Sequence, residues 1–222
     1  NLQGGEPSMM KEYDDYLQHL IDIGASKNCE VTVVTNLTNI NKQFYKRLEQ
    51  FKLIKLGVSI DSYGLANNFI RYPSKFDILL RNMLWIKDTP FQVAVSVAFQ
   101  VTSMFNVDTF LSWLYDMQHL YKLAGKTLDI QLQLVKSPSA LNIQHAPVKL
   151  KQRCVEQIKQ YHRGNKRLNS AAVLEIRLLH ILKELQKPHV TSKPFVEYVS
   201  KIAETRGLKL QDYFPDWNDI QD

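Results

Sequence analysis

Glycines and polar residues of the kinds that hold small ligands occur at four places in the sequence. They are Gly4-Gly5-Glu6-Pro7, Thr35-Asn36, Ser59-Ile60-Asp61-Ser62 and Arg71. Paired glycines let the backbone approach a ligand closely. Ser59 and Asp61 lie two residues apart, so on a strand their side chains point to the same side and could form a polar ledge for a ligand. The four places together indicate a binding site for a polar small molecule.

Each of these features also has a purely structural explanation. Gly-Gly followed by Glu6 and Pro7 suits a turn that leads into a helix, because proline is favoured in the first helical turn. Ser59 and Asp61 could cap the next helix, and Arg71 could be an ordinary surface arginine. No single feature decides between structure and binding, so their common position in the fold matters.

Strand-like and helix-like segments alternate along the first two thirds of the chain. Apolar residues at helical spacing predict helices over residues 9–23, 41–51, 76–86 and 107–121, the first with Ser8 as its N-cap and Gly24 at its end. Short β-branched or apolar runs predict strands over residues 30–35, 53–61, 91–100 and 128–135. This alternation predicts an α/β fold with parallel strands joined by helices.

A doubly wound sheet and a (β/α) barrel both fit this alternation. In either architecture ligands bind at the carboxyl ends of the strands, where the polar residues named above fall. The nearly continuous apolar segment 93–99 favours a sheet covered on both faces. The turn at Gly4 has no strand before it, so we expect the sequence to be part of a longer chain with a strand upstream.

Composition excludes several other classes of protein. The chain has 222 residues, of which 45% are hydrophobic and 23% charged, as in an ordinary globular protein. No apolar run reaches the ~20 residues that span a bilayer. The two cysteines, Cys29 and Cys154, cannot form a disulfide framework or a metal site by themselves, and the six histidines show no metal-binding spacing. We therefore expect no metal ligands in this sequence and a cytoplasmic location.

The alternation stops near residue 146, and a basic tail follows. Helical spacing predicts helices over residues 148–161, 170–185 and 194–205, with Ser170 and Ser192 as caps and Gly207 at the end. Residues 146–222 hold 14 basic and 9 acidic residues, whereas residues 1–145 hold 14 and 13. A solvated helical face explains this excess, and binding of nucleic acid is the alternative. The aromatic residues 213–217 are expected to pack back onto the preceding fold.

The order of these motifs resembles that of the radical S-adenosylmethionine (SAM) enzymes. The shared stretches are Gly-Gly-Glu-Pro at 4–7, Val-Val-Thr-Asn at 33–36, Val-Ser-Ile-Asp at 58–61 and Asn-Phe-Ile-Arg-Tyr-Pro at 68–73. Thr-Asn-Leu-Thr at 35–38 and Ile-Arg-Tyr-Pro at 70–73 are most similar to members with a twitch domain, and the tail, including Asp-Tyr-Phe-Pro at 212–215, resembles the family more loosely. The resemblance implies a partial (β/α)6 TIM-like barrel over residues 1–145, truncated at its N-terminus, and a helical C-terminal extension over residues 146–222.

The resemblance also assigns roles to individual residues. It implies that Gly4, Gly5 and Glu6 hold the methionine ammonium of SAM, and that Arg71 pairs with the methionine carboxylate. Ser59 and Asp61 would lie against the carboxylate and the ribose. Asn36 would face the same cavity. None of these residues is expected to act as a general acid or base.

The sequence departs from the family pattern at the iron–sulfur cluster. The family holds a 4Fe-4S cluster with a CxxxCxxC loop, which this sequence lacks, so we expect the ligands in the segment upstream. The intact protein would then cleave SAM reductively to a 5′-deoxyadenosyl radical that abstracts hydrogen from a peptide or small-molecule substrate. A flavodoxin or ferredoxin would supply the electron. This fragment alone is expected to be inactive.

Two alternatives to a truncated enzyme remain open from the sequence. One is a non-catalytic relative that keeps the barrel as a binding or scaffold module. The other is a nucleic-acid-binding protein that uses the basic tail. The sequence does not identify the substrate.

Overall fold

The computed structural model describes residues 1–165, 172–188 and 190–220 and contains a parallel sheet with intervening helices. The strands are β1 (Glu30–Thr35), β2 (Leu53–Ser59), β3 (Gln92–Phe99) and β4 (Leu128–Leu134). The helices are α1 (Lys11–Asp22), α2 (Lys42–Leu48), α3 (Gly64–Ile70), α4 (Phe76–Ile86), α5 (Val107–Leu123), α6 (Val148–Asn165), α7 (Ala172–Leu185), α8 (Lys193–Arg206) and α9 (Leu210–Tyr213). The predicted α/β alternation is therefore confirmed.

The predicted N-cap of α1 and the predicted end of β2 were wrong. A short 3-10 helix, Pro7–Met9, precedes α1, and Met10 is the N-cap of α1, so the Ser8 side chain does not cap this helix. Its hydroxyl donates to Glu6 instead. Helix α3 was not predicted, and β2 ends at Ser59 rather than at residue 61. The bounds predicted for β1 and α4 agree with the structure.

The strands lie in the order β1-β2-β3-β4, which is also their order along the chain. β1 pairs in parallel with β2, with Thr35 opposite Val58, and β2 pairs in parallel with β3, with Ser59 opposite Ser96. A doubly wound sheet reverses its strand order, and the described strands show no reversal. With right-handed crossovers, a sequential order places the connecting helices on one face of the sheet. The arrangement is compatible with part of a (β/α) barrel.

The two faces of the sheet differ in burial. Val33, Leu56 and Val95 are fully or almost fully buried on one face. On the other face Gly57 and Ser96 are only half-buried. Because of this alternation, β3 does not have the two covered faces that its apolar sequence favoured. The second face carries small and polar side chains and leads to the carboxyl ends of the strands.

The chain divides into two compact units whose boundaries cross several elements. The first contains Asn1–Ile60, Ser74–Ser96 and Asp116–Ile130, and the second contains Asp61–Pro73, Val97–Tyr115 and Gln131–Asp222. The predicted division of the chain between residues 145 and 146 stays a prediction.

In the first unit, α2 and α4 carry buried apolar and aromatic residues. Phe44 and Tyr45 of α2 and Leu79 and Met83 of α4 are almost completely buried. The Tyr121 hydroxyl donates to the carbonyl of Met83 at 3.0 Å. Burial of the ring raises the pKa of Tyr121, so this hydroxyl remains a donor at neutral pH.

In the second unit, the aromatic end of the chain packs against α3 and a 3-10 helix, Val101–Asn106. The ring of Phe214 lies 5.1 Å from that of Phe69 and 4.6 Å from that of Phe105. Trp217 stacks on Phe105 at 6.0 Å. These rings form a shared apolar core, as aromatic pairs at such separations do. The expected return of residues 213–217 onto the preceding fold therefore occurs within this unit.

The described ends of the tail helices follow the sequence with one exception. Gly207 ends α8 with a φ of +64°, a left-handed conformation that glycine adopts easily. Ser192 occupies the N-cap position of α8, as predicted, but its side chain makes no capping hydrogen bond. The predicted cap at Ser170 lies outside the described residues. No helix in the described part of the chain combines the length and apolarity needed to cross a membrane.

Arg206 joins the end of α8 to α3. Its Nη1 donates to the carbonyl of Phe69 at 2.7 Å, and its guanidinium lies over the rings of Phe69 and Tyr72, 5.7 and 5.0 Å from their centroids. A charged hydrogen bond and cation–π contacts together stabilise by about 2 kcal/mol. We expect Arg206→Ala to lower the free energy of unfolding by that amount, measured by urea denaturation.

The control for this prediction is Lys201→Ala, a change at an exposed cation on the same helix. Its effect should stay within about 0.5 kcal/mol, as for most surface substitutions. If the two variants lowered the free energy of unfolding equally, the contacts of Arg206 with α3 would not stabilise the protein.

Candidate ligand site at the carboxyl ends of the strands

The loop Gly4–Glu6 begins directly beside the edge of the sheet. Leu2 forms a parallel bridge with Val33, in which the Leu2 N–H donates to the carbonyl of Thr32 at 2.7 Å. The chain therefore runs along β1 until it turns at Gly4, as the sequence predicts. Gly4 and Gly5 have φ values of +97° and +61°, which disfavour other residue types.

The backbone of this turn is open to solvent. Both glycines are exposed, and within the described residues neither makes a backbone hydrogen bond. A Cβ on Gly4 would meet nothing within 4 Å. The glycines are therefore required by backbone conformation, and their carbonyl groups are free to accept hydrogen bonds from a ligand.

The carboxylate of Glu6 is fixed by three neutral donors. Its Oε1 accepts from the hydroxyl of Thr35 at 2.6 Å and from that of Ser8 at 3.1 Å. Its Oε2 accepts from the N–H of Asn36 at 3.0 Å. These bonds hold the loop against the carboxyl end of β1. A carboxylate offers about four acceptor positions, so one remains available.

No basic side chain pairs with Glu6 in the described part of the protein. The half-buried carboxylate thus accepts hydrogen bonds from three neutral donors and has no positive charge paired with it in the described residues. A cation bound there would gain a favourable charge interaction. Together with the free carbonyls of Gly4 and Gly5, this arrangement suits an ammonium group.

Asn36 and Ser59 lie level with one another at the ends of neighbouring strands. Thr35 is paired with Val58, and the next residues along the two strands are Asn36 and Ser59. Both side chains are half-buried. The Asn36 carboxamide oxygen accepts from the N–H of Thr38 at 3.0 Å, while the Ser59 hydroxyl has no hydrogen-bond partner among the described residues. Ligand contacts of these two residues stay a prediction.

Asp61 and Arg71 form a two-pronged ion pair in the second unit. Arg71 Nε donates to Asp61 Oδ2 at 2.6 Å, and Nη2 donates to Oδ1 at 3.0 Å. The Asp61 side chain is 3% exposed and that of Arg71 is 31% exposed. Two parallel hydrogen bonds make this a geometrically specific pair. The sequence proposed each residue as a ligand contact and did not predict their pairing.

Asp61 also organises the backbone around it. Its Oδ1 accepts from the N–H of Ala98 at 2.8 Å, and its own N–H donates to Asn67 Oδ1 at 3.0 Å. The carboxylate therefore ties the segment after β2 to β3 and to the end of α3. Arg71 keeps Nη1 without a hydrogen bond to any described residue. Direct ligand contacts of Asp61 and Arg71 stay predictions.

The sequence assigned no individual role to three buried residues that are linked to Glu6 by hydrogen bonds. Thr35 donates to Glu6, Leu37 has a left-handed φ of +54°, and Asn82 of α4 donates to the carbonyl of Leu37. A threonine that ends a strand is a weak signal, and nothing local marks Leu37 or Asn82. Their contacts join segments far apart in the sequence.

Tyr45 lies buried near the same carboxylate. Burial raises the pKa of its hydroxyl, and the charge of Glu6 raises it further, so Tyr45 stays protonated. The nearby side chain of Thr35 lowers the pKa of Tyr45 and so opposes this shift in part. The hydroxyl of Tyr45 nevertheless has no partner with hydrogen-bond geometry in the described residues.

The residues present do not fit a 4Fe-4S cluster. The sequence has two cysteines, of which Cys154 is fully buried and has its pKa raised by burial, so it is held as a thiol. Among the described side chains, no group of three or more His, Cys, Asp or Glu residues could hold a metal ion. No step through a cluster follows from these residues.

Comparisons with known proteins give one weak match. No family model matches the chain, and no curated protein matches it. The crystal structure of Streptococcus suis SuiB bound to S-adenosylmethionine aligns with 73% of this chain at 15% sequence identity and a TM-score of 0.47. The chain corresponds to 34% of that protein, about a third of its length. An alignment of this quality identifies neither the family nor the activity of this chain.

Proposed function

We propose that this chain is the SAM-binding part of a radical SAM enzyme with a partial (β/α)6 barrel. In this proposal the loop Gly4–Glu6 binds the methionine ammonium. The observation that carries it is the Glu6 carboxylate, which lacks a basic partner in the described residues and lies beside two glycines with free backbone groups. The motif order from Gly4 to Pro73 supports the same assignment.

The other proposed contacts follow the sequence predictions. Asn36 would face the ligand cavity, and Ser59 would lie against the methionine carboxylate and the ribose. Arg71 would receive the methionine carboxylate through its free Nη1, and Asp61 would hold the guanidinium in place through the bonds described above. Bound SAM supplies a sulfonium group whose reductive cleavage generates a radical.

Catalysis would require a longer protein. The two cysteines of this sequence cannot hold the cluster, so we propose that a segment outside it provides the CxxxCxxC loop. The peptide or small-molecule substrate, the flavodoxin or ferredoxin partner and any twitch domain belong to the same proposal. The 222-residue chain alone would bind SAM without cleaving it.

A non-catalytic binding module is the second candidate function. The sequence has two cysteines, whereas a CxxxCxxC cluster loop needs three, so these 222 residues lack a group that could reduce the sulfonium. This favours the binding module. This module would bind SAM through the same loop. The two candidates differ in activity and not in ligand affinity.

Three basic residues of the tail have contacts or burial within the protein. Lys149 donates to the carbonyl of Asp219, Arg153 pairs with Asp216, and Lys151 is almost fully buried. Lys166 and Arg167 lie outside the described residues, and binding of nucleic acid by the tail stays a prediction.

Isothermal titration calorimetry with SAM and methylthioadenosine tests the proposal. Methylthioadenosine keeps the nucleoside and sulfur and lacks the amino-acid group. Since hydrogen bonds to charged groups contribute about 1.5–3 kcal/mol, we expect SAM to bind at least about tenfold more tightly. Equal affinity for the two ligands would contradict the proposed ammonium site.

A second assay separates the enzyme from the binding module. The longer protein, reconstituted with iron and sulfide and then reduced, should release 5′-deoxyadenosine from SAM. Binding of SAM without this product would favour the binding module.

A further inference from the structure

We propose that Asn82, Leu37 and Thr35 form a positioning device that orients the Glu6 carboxylate. The proposal rests on the proposed function, since it takes Glu6 to be the ammonium-binding group. It concerns three residues to which the sequence assigned no individual role, all of them in the first unit.

The device is a continuous chain of hydrogen bonds. The Asn82 carboxamide Nδ2 donates to the carbonyl of Leu37 at 2.8 Å, and the N–H of Leu37 donates to Thr35 Oγ1 at 2.9 Å. Thr35 Oγ1 then donates to Glu6 Oε1 at 2.6 Å. A buried amide on α4 is thus connected to the carboxylate through one residue of backbone and one hydroxyl.

The direction of these bonds fixes the Thr35 proton. A hydroxyl has a single hydrogen, and the Leu37 N–H occupies one of its lone pairs. The hydrogen is then free to point at Glu6, and the carboxylate oxygen is held where the hydroxyl donates. Displacing the Leu37 N–H would let the hydroxyl rotate and would release Glu6.

Leu37 needs outside support to keep this geometry. Its φ of +54° is unfavourable for a residue with a Cβ, and such residues persist where the surroundings over-determine the backbone. Its side chain is fully buried, and Asn82, itself 7% exposed, binds its carbonyl. Asn82 and the burial of Leu37 together maintain the left-handed turn.

The test compares Asn82→Ala with Gln118→Ala. Gln118 donates its side-chain amide to the carbonyl of Leu128 at 3.1 Å, so its replacement removes the same type of bond in the same unit. The first readout needs no ligand: hydrogen exchange of the Asn36 and Leu37 amides, followed by NMR. Both donate into this network, so Asn82→Ala should accelerate their exchange by about tenfold, and Gln118→Ala should not.

The second readout is the ratio of the affinities for SAM and methylthioadenosine. Asn82→Ala should reduce this ratio by about fivefold to tenfold, and the reduction should vanish in a Glu6→Gln background. If Asn82→Ala left the exchange rates of the two amides unchanged, the inference would be overturned, whatever the affinity ratio. Faster exchange with an unchanged ratio, in a protein whose wild type prefers SAM, would also overturn it.

Failure of the proposed function gives a different pattern. A wild-type chain with no preference for SAM, together with faster exchange in Asn82→Ala, would refute the ammonium site. It would leave the positioning of Glu6 by Asn82 supported.

Discussion

Replacing Asp61 by asparagine should lower the free energy of unfolding by about 2–3 kcal/mol. The change removes a buried negative charge and leaves the Arg71 guanidinium without its partner. Loss of one member of a buried ion pair costs about 3–5 kcal/mol, and the partial exposure of Arg71 places the expected value below that range. The new amide has a single oxygen, so either Arg71 Nε loses its acceptor, or Arg71 Nη2 and the N–H of Ala98 both lose theirs. Urea denaturation followed by tryptophan fluorescence measures the difference.

Asp129→Asn is the matched control for this prediction. Asp129 is exposed on β4 and has no described ion pair, so the same chemical change should shift stability by no more than about 0.5 kcal/mol. If both aspartate variants unfold at the same urea concentration, the pair Asp61–Arg71 does not stabilise the end of α3.

Replacing Glu6 by glutamine should weaken SAM binding by about tenfold to a hundredfold. The substitution keeps the size of the side chain and one acceptor oxygen, so the bonds from Thr35 and Ser8 can persist. It removes the charge that would attract the ammonium. Calorimetric titration of both proteins with SAM gives the two dissociation constants.

Two controls separate lost charge from a distorted loop. Methylthioadenosine has no ammonium, so Glu6→Gln should leave its affinity unchanged. Glu12→Gln, at an exposed carboxylate on α1, should leave the affinity for SAM unchanged. A loss of affinity for both ligands in Glu6→Gln would mean that the loop, and not the charge, had been disturbed.

The sequence predicted those elements whose apolar periodicity is strong. β1 consists mainly of β-branched residues and α4 has apolar residues at helical spacing, and the structure gives both the predicted bounds. The sequential strand order could not be obtained from these patterns, because periodicity identifies strands and not their neighbours. The order follows from packing of the whole sheet.

Helix α3 shows where local patterns are insufficient. It has seven residues, begins at Gly64 and contains Asn67 and Asn68, all poor helix formers. Short helices gain most of their stability from tertiary contacts. Here Asn67 accepts from the Asp61 N–H, and Arg206 binds the carbonyl of Phe69. Arg206 lies 137 residues away in the sequence, so no local window contains this information.

The candidate site was predictable in part for the same reason. The glycines at residues 4 and 5 and the carboxylate of Glu6 form a local motif, and the structure gives them positive φ values and a fixed carboxylate. The pairing of Asp61 with Arg71 depends on a helix that was not predicted. Asn82 of α4 binds the carbonyl of Leu37, which lies 45 residues away in the sequence. The apolar periodicity predicted α4 as a helix but not this contact. Residue types alone could not reveal either relationship.

The most direct test of the account is a crystal structure of this chain in complex with SAM. We expect the methionine ammonium within hydrogen-bond distance of the Glu6 carboxylate and of a carbonyl oxygen of Gly4 or Gly5. SAM bound elsewhere on the chain, with these three residues facing solvent, would contradict the proposed ammonium site.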